Sequence, residues 1–94
     1  MSVMLVGRVQ VKDSDIWNNY VTGVGKSLEP FKAKTVFRGR QFEDLAGRTS
    51  YSDIVLIEFR DRETAVNWFK SSAYQALIPI RKLAADVQIS LYET

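Results

Sequence analysis

Two kinds of hydrophobic pattern follow one another along this chain in a fixed order. Residues Val3 to Val11 alternate between apolar and polar positions as in a β-strand. Apolar residues then recur every three or four positions up to about Leu28, as on one side of a helix whose N-cap is Asp13 or Ser14. The same two patterns return later in the chain and predict the order β-α-β-β-α-β.

Turn, cap and proline residues set the remaining boundaries. We predict a second strand over Ala33–Arg38 with a bulge at Gly39, and we expect residues 41–45 to extend it towards a turn at 47–50. Tyr51–Arg60 is then the third strand of a long hairpin. A second helix follows Asp61, a further helical turn opens with the capping-box match Ser72–Gln75, a break or kink falls at Pro79, and Val87–Tyr92 forms the fourth strand.

Two helices with one apolar stripe each can both be buried only on one face of a four-stranded antiparallel sheet. This is the α+β, ferredoxin-like plan. The 94 residues, of which 46% are apolar, provide one core, so residues 1–94 are expected to form a single domain. No apolar run approaches the roughly 18 residues of a membrane span, so a cytoplasmic protein with no membrane partner is expected.

The composition excludes several classes of active site. The chain contains no Cys and no His, which excludes disulfides, thiolate nucleophiles, imidazole catalysis and the usual zinc and haem ligands, so we expect no metal and no cofactor. Acid–base chemistry would fall to Asp, Glu, Lys or Tyr in an enclosed site. The net charge is only +2, and basic residues are dispersed among carboxylates, so no nucleic-acid partner is expected.

The alternation gives the predicted sheet two unlike faces. The apolar face is expected under the helices and comprises Val3, Leu5, Val9, Val11, Thr35, Phe37, Val55, Ile57, Phe59, Val87, Ile89 and Leu91. The opposite face mixes apolar with charged and polar residues: Met4, Val6, Arg8, Val36, Arg38, Ile54, Leu56, Glu58, Gln88, Ser90 and Tyr92. Because that face is too apolar for open water, we predict a homodimer in which two sheets face each other as a barrel.

Arg8, Arg38 and Glu58 are the charged candidates for function on that second face. An isolated charge there is costly unless it is paired or hydrated. One interpretation is an ion-pair network that holds the dimer together. The other is an anion-binding pocket in which Arg38 binds a carboxylate or enolate while Glu58 moves a proton.

Aromatic residues supply the remaining candidates for a ligand site. Trp17 and Tyr20 have the spacing of core residues on a helix, and they could equally form the wall of a pocket mouth. Tyr74 and Arg81 flank the Pro79 position, where Arg81 either caps free carbonyl groups or points towards a ligand. Tyr92 is either an interface residue or a phenol that donates to a bound oxyanion.

A series of short motifs runs through most of the chain: Trp17-x-x-Tyr20, Phe37-Arg38-Gly39 with Phe42-Glu43-x-Leu45-x-Gly47, Ile57-Glu58-Phe59, Ala65-x-x-Trp68-Phe69-x-Ser71, Tyr74-Gln75 and Arg81. In these motifs the sequence resembles the domain-of-unknown-function 1330 family, small bacterial dimeric α/β-barrel proteins. The resemblance implies a homodimer. Related barrel families suggest cofactor-free isomerase- or monooxygenase-like chemistry on a small anionic or oxygenated molecule, with Glu58 as base and Arg38 as electrostatic stabiliser. The alternative is a non-catalytic dimerisation or ligand-sensing module.

Overall fold

The computed structural model describes residues 2–94 and contains four strands and four helices within that range. The strands are β1 (Val3–Val11), β2 (Lys34–Arg40), β3 (Asp53–Phe59) and β4 (Ala85–Glu93). The helices are α1 (Ser14–Leu28), α2 (Arg62–Lys70), α3 (Ser72–Gln75) and α4 (Ile78–Ala84), and a 3-10 turn (Glu29–Phe31) follows α1. None of the helices in residues 2–94 combines the length and the apolar character that crossing a membrane requires.

The four strands form one antiparallel sheet in the order β2-β3-β1-β4. The register of the central strand places Leu5 opposite Ile57 of β3 and Leu91 of β4. The strand order and the order of elements confirm the predicted ferredoxin-like plan. We call the side of the sheet that carries the helices the helix face, and the other side the open face.

The core lies between the helices and the helix face. Side chains of β1 and β3 that are two residues apart point to this side, as the alternation predicts. They pack against the apolar stripes of α1 and α2, where Trp68 is almost completely buried. The indole N–H of Trp68 donates to Ser27 Oγ at 2.9 Å, so its polar atom keeps a partner inside the core.

A β-bulge in β2 reverses two predicted side-chain directions. Thr35 lies opposite Ile57 and Phe37 lies opposite Leu56, so Val36 is the extra residue. Phe37 therefore lies on the open face, where it is 54% exposed, and Arg38 lies opposite Val55 on the helix face. The prediction of Phe37 beneath the helices and Arg38 on the other side was wrong, because one inserted residue moves every later side chain to the opposite face.

Two predicted boundaries also differ from the structure. Strand β2 ends at Arg40, and residues 41–52 form an irregular segment, exposed over residues 41–50, where a continued strand was predicted; we call this segment the arm. Near the C-terminus, Pro79 does not break a helix but lies in the first turn of α4, where a missing N–H costs nothing. The cap of α3 is Ser71, one residue before the predicted capping box, and its Oγ accepts from the Tyr74 N–H at 3.2 Å.

Candidate functional site

A cavity lies on the helix face between α2, α4 and β4, and we call it the main cavity. Its volume is about 380 Å³, and its walls are formed by Leu5, Ala65, Val66, Phe69, Lys70, Arg81, Val87, Ile89 and Leu91. This volume falls within the range of small-molecule sites. The cavity exists because the helices leave the helix face of β4 partly uncovered, and Leu91 remains exposed there.

Two cations are the charged groups among the residues that line this cavity. Lys70 ends α2 and Arg81 lies in α4, and none of the other lining residues is acidic. The remaining lining residues are apolar. A cavity of this composition favours a molecule with a hydrocarbon body and a negatively charged or electron-rich oxygen.

A chain of hydrogen bonds leads from the cavity wall into the core. Arg81 Nη1 donates to the Tyr74 hydroxyl at 2.8 Å, and the hydroxyl groups of Tyr74 and Tyr20 are also 2.8 Å apart. Tyr74 is 0% exposed and Tyr20 is buried. The bond between the two phenols uses one of their two hydroxyl hydrogens, because the arginine contributes its own hydrogen to Tyr74. The other hydroxyl hydrogen is available to a further acceptor.

Burial determines the protonation of this chain. Loss of solvation raises the pKa of the Tyr20 hydroxyl well above its usual value, and the adjacent Tyr74 raises it further. Arg81 acts in the opposite direction but does not outweigh burial. Tyr20 therefore stays a neutral phenol throughout the neutral pH range and keeps its hydrogen as a donor.

Aromatic rings fix the position of the buried tyrosines. The Tyr74 ring centroid lies 4.4 Å from that of Trp68 and 5.1 Å from that of Phe69. On the other side, Tyr20 stacks on Trp17 with centroids 5.0 Å apart. Phe69 also lines the main cavity, so the same packing that orients Tyr74 shapes the cavity wall.

A second, narrow cavity adjoins the main one. It measures about 30 Å³ and shares Leu5, Val87 and Ile89 with the main cavity. Its other lining residues include Gly7, Trp17, Tyr20 and Arg38. A methyl group at Gly7 would lie 2.8 Å from Val55 Cγ1, so the absence of a side chain at Gly7 helps to keep this space open.

The structure brings four predicted ligand residues together and separates the others from them. Trp17, Tyr20, Tyr74 and Arg81 are joined by ring packing and hydrogen bonds. By contrast, three predicted residues lie on the open face. Each is paired across the sheet with another open-face residue: Arg8 with Ile54, Glu58 with Lys34, and Tyr92 with Met4.

Arg38 and Glu58 do not share a pocket. The bulge places Arg38 on the helix face, whereas Glu58 lies on the open face. Among residues 2–94 the ion pairs are Lys12–Asp86, Arg60–Asp61 and Arg62–Glu93, so neither of the two, nor Arg8, belongs to a described ion pair. The predicted ion-pair network and the predicted acid–base pair are both absent from the described part of one chain.

Lys70 and Val66 were not among the site residues predicted from the sequence. Together with Phe69 they occupy positions i, i+3 and i+4 of α2, which form one side of a helix. That spacing is the one feature of the sequence that could have indicated a shared location for these three residues. A lysine in the last turn of a helix is also the ordinary solvent-exposed choice, so the pattern alone does not mark it as a cavity residue.

The sheet order and the helices on one face define an α+β protein with a ferredoxin-like fold. The family model described as "Domain of unknown function (DUF1330)" matches residues 2–94, and the chain belongs to this family. The resemblance found in the sequence is thus confirmed. No protein with a curated description matches the chain significantly.

Solved structures share this fold at low sequence identity. A protein of unknown function from Rhodopseudomonas palustris has a TM-score of 0.85 and 14% identity, over 99% of this chain and 82% of that chain. SnoaB, a cofactor-independent oxygenase from Streptomyces nogalater, has a TM-score of 0.73 and 10% identity, over 99% and 92%. A dimeric ferredoxin-like protein of unknown function from Bacteroides fragilis has a TM-score of 0.60 and 12% identity, over 99% and 96%.

Proposed function

We propose that this chain binds a small, largely apolar organic molecule with an anionic or oxygenated group in the main cavity. The observation that carries the proposal is the presence of Lys70 and Arg81 on the wall of an otherwise apolar cavity of about 380 Å³. The apolar walls would hold the hydrocarbon part, and the two cations would bind the oxygen. Tyr74 is fully buried and would act through Arg81, whose guanidinium group it positions.

The same arrangement supports cofactor-free chemistry on a carbon acid or phenol. Such a molecule ionises more readily beside fixed positive charges, because they stabilise the enolate or phenolate more than the neutral form. We assign this role to Arg81, with Lys70 as the second charge. Isomerase- or monooxygenase-like reactions of this kind proceed from the ionised substrate. SnoaB supports the proposal at the level of the fold alone.

Glu58 and Arg38, the predicted catalytic pair, do not keep their predicted roles in this proposal. Glu58 lies on the open face, so the sheet separates it from the main cavity. Arg38 lines the narrow cavity with Trp17 and Tyr20, and because that cavity has room for about one water molecule we assign Arg38 no direct contact with the ligand. Arg81 takes the electrostatic role that the sequence had suggested for Arg38.

Ionisation of 4-nitrophenol tests the site directly, because the phenolate absorbs visible light and the neutral phenol does not. With the protein in excess at a pH just below the pKa of the free phenol, we expect a saturable increase in phenolate absorbance. Arg81→Met should abolish this increase. Lys26→Met, which removes an exposed lysine of α1, is the matched control and should leave it unchanged. No saturable change, or an equal change in Arg81→Met, would contradict the proposal.

A homodimer across the open face is the second part of the proposal. The folded chain is a slab of 34 × 31 × 16 Å. It exposes 6347 Å², whereas a compact monomer of 10.7 kDa exposes about 5,500 Å². The excess of about 850 Å² means that the single chain leaves more surface uncovered than a compact monomer of its mass, as expected of a chain that associates. The Bacteroides fragilis relative is itself described as dimeric.

Sedimentation separates this dimer from the ligand site. Leu56 lies near the centre of the open face, opposite Val6 and Phe37, so Leu56→Glu should give a monomer at micromolar concentration. Leu83→Glu, a change at an exposed leucine of α4, should remain dimeric. A dimer that shows no 4-nitrophenol response would instead favour the non-catalytic dimerisation module.

A further inference from the structure

The arm carries two large apolar side chains that its own chain leaves in solvent. Phe42 is 97% exposed and Leu45 is 92% exposed. Single exposed apolar residues are ordinary, but these two lie three positions apart in the first half of one exposed, irregular segment. They form an apolar tip that packs against nothing in residues 2–94.

Local hydrogen bonds hold the arm in a defined shape. The Gln41 N–H donates to the Ser52 carbonyl at 2.7 Å and closes the base of the arm. Gln41 Nε2 donates to Asp44 Oδ1, also at 2.7 Å. Gly47 turns the chain with a φ of +71°, which a residue with a side chain rarely adopts. A segment whose shape is set in advance loses less conformational entropy when its tip is buried.

The arm borders the open face. A cavity of about 250 Å³ lies at its base, lined by the arm residues Gln41, Thr49 and Tyr51 and by Arg8, Phe37 and Ile54 of the open face. A molecule that covers the open face therefore also reaches the arm. The apolar tip and the open face belong to one continuous surface.

The charges on this surface complement one another within a single chain. Two carboxylates, Glu43 and Asp44, lie between the two residues of the apolar tip, and the cation of the arm, Arg48, follows the turn at Gly47. The cavity at the base of the arm is lined by Arg8 and Arg40, and its acidic member, Asp53, already accepts from Ser52 Oγ at 2.7 Å. In a two-fold symmetric pair, a contact between the carboxylates of one arm and the basic base of the other would occur twice, once in each direction.

On the basis of the proposed homodimer, we infer that the two subunits exchange their arms. The apolar tip of each arm packs against the second copy of this chain. The partner subunit receives Phe42 and Leu45, and the carboxylates of the tip face the basic residues at the base of the partner's arm.

Sedimentation equilibrium over a dilution series tests this contact. The double variant Phe42→Ser/Leu45→Ser removes the apolar tip without touching the open face, and we expect its dimer dissociation constant to rise at least about tenfold. Leu83→Ser removes another exposed leucine, from α4, and should have no effect. Both changes are at exposed positions, so the thermal unfolding of the monomer should be unaltered.

The outcomes distinguish this inference from the proposed homodimer. A wild-type chain that stays monomeric contradicts both. A wild-type dimer whose dissociation constant is unchanged in the double variant overturns the exchange of arms and leaves the open-face dimer intact. A rise confined to the double variant supports the exchange.

Photocrosslinking gives a second, independent measurement. Phe42 is replaced by p-benzoylphenylalanine, and the protein is mixed from ¹⁴N- and ¹⁵N-labelled chains. We expect crosslinked peptides that carry both labels, with the partner's portion from β1, β2 or the base of the arm. Crosslinks within one chain only would show that the tip folds back on its own subunit.

Discussion

The two faces of this sheet are built from the same strands and differ in how they treat polar groups. On the helix face, Tyr20, Tyr74 and Arg81 form one hydrogen-bonded chain beside an apolar cavity. On the open face, Arg8 and Glu58 lie among apolar side chains and take part in none of the ion pairs within residues 2–94. One face completes its interactions within the subunit, and the other does not.

This difference separates the proposed ligand site from the proposed interface. A buried polar group is costly unless it has a partner. The hydrogen bonds of Tyr20, Tyr74 and Arg81 supply these partners within one chain and fix Arg81 beside the main cavity. Half-buried charges beside apolar residues indicate a surface that a partner completes. The contrast predicts that substitutions on the helix face lower the stability of the single chain, whereas substitutions on the open face weaken association of two chains.

Removal of the largest core side chain should produce the largest effect. Trp68→Ala creates a cavity on the helix face and should lower the free energy of unfolding by about 3–5 kcal/mol. The loss should be the same at low and high protein concentration in urea denaturation. Phe37→Ala on the open face should lower stability only at concentrations at which the dimer forms. A concentration-independent loss in Phe37→Ala would remove the distinction between the faces.

The buried phenol chain gives the next largest effect. Tyr74→Phe leaves Arg81 and the Tyr20 hydroxyl without their shared partner and should cost about 1–3 kcal/mol in urea denaturation. Tyr92→Phe deletes a hydroxyl on the open face that makes no hydrogen bond within residues 2–94, and it should change stability by less than about 0.5 kcal/mol. Equal losses in the two variants would show that the chain contributes nothing specific.

The fold was predictable from the sequence because periodicity is a local property. Alternation in Val3–Val11 and the helical spacing up to Leu28 each determine one element, and the order of elements leaves one way to bury both stripes. The face of each residue in β2 was not predictable. Val36, Phe37 and Arg38 fit either register, and the bulge is selected by the pairing of β2 with β3.

The candidate site was predictable in part. Trp17, Tyr20, Tyr74 and Arg81 could be selected as candidates from their types and positions. Their assembly into a chain depends on how α1 packs against α3 and α4, and residues 54 positions apart in sequence give no local signal of contact. The cavity also depends on incomplete cover of β4 by the helices, which no spacing in the sequence encodes.

Alkaline pH tests the buried phenol without a ligand. The pKa of Tyr20 is raised in the folded chain, so folding retains a proton that the unfolded chain releases above about pH 10. The stabilising contribution is complete below that pH and declines as the pH rises, by at most about 1.4 kcal/mol per pH unit. Urea denaturation between pH 8 and pH 11 should show this decline. Tyr20→Phe should show a smaller one, and identical slopes would contradict the burial of the hydroxyl.

The smallest expected effect addresses the residues that the sequence had paired. Glu58 lies three positions from Val55 along β3, about 10 Å away, and Arg38 is opposite Val55 on the other face. Groups so separated contribute independently, so a double-mutant cycle of Arg38→Met and Glu58→Met should give a coupling energy below about 0.5 kcal/mol. Stability in urea and 4-nitrophenol affinity are both suitable measurements. A coupling of about 1 kcal/mol or more would mean that the two side chains meet, either within one chain or across two chains, and that the division between the faces fails at this point.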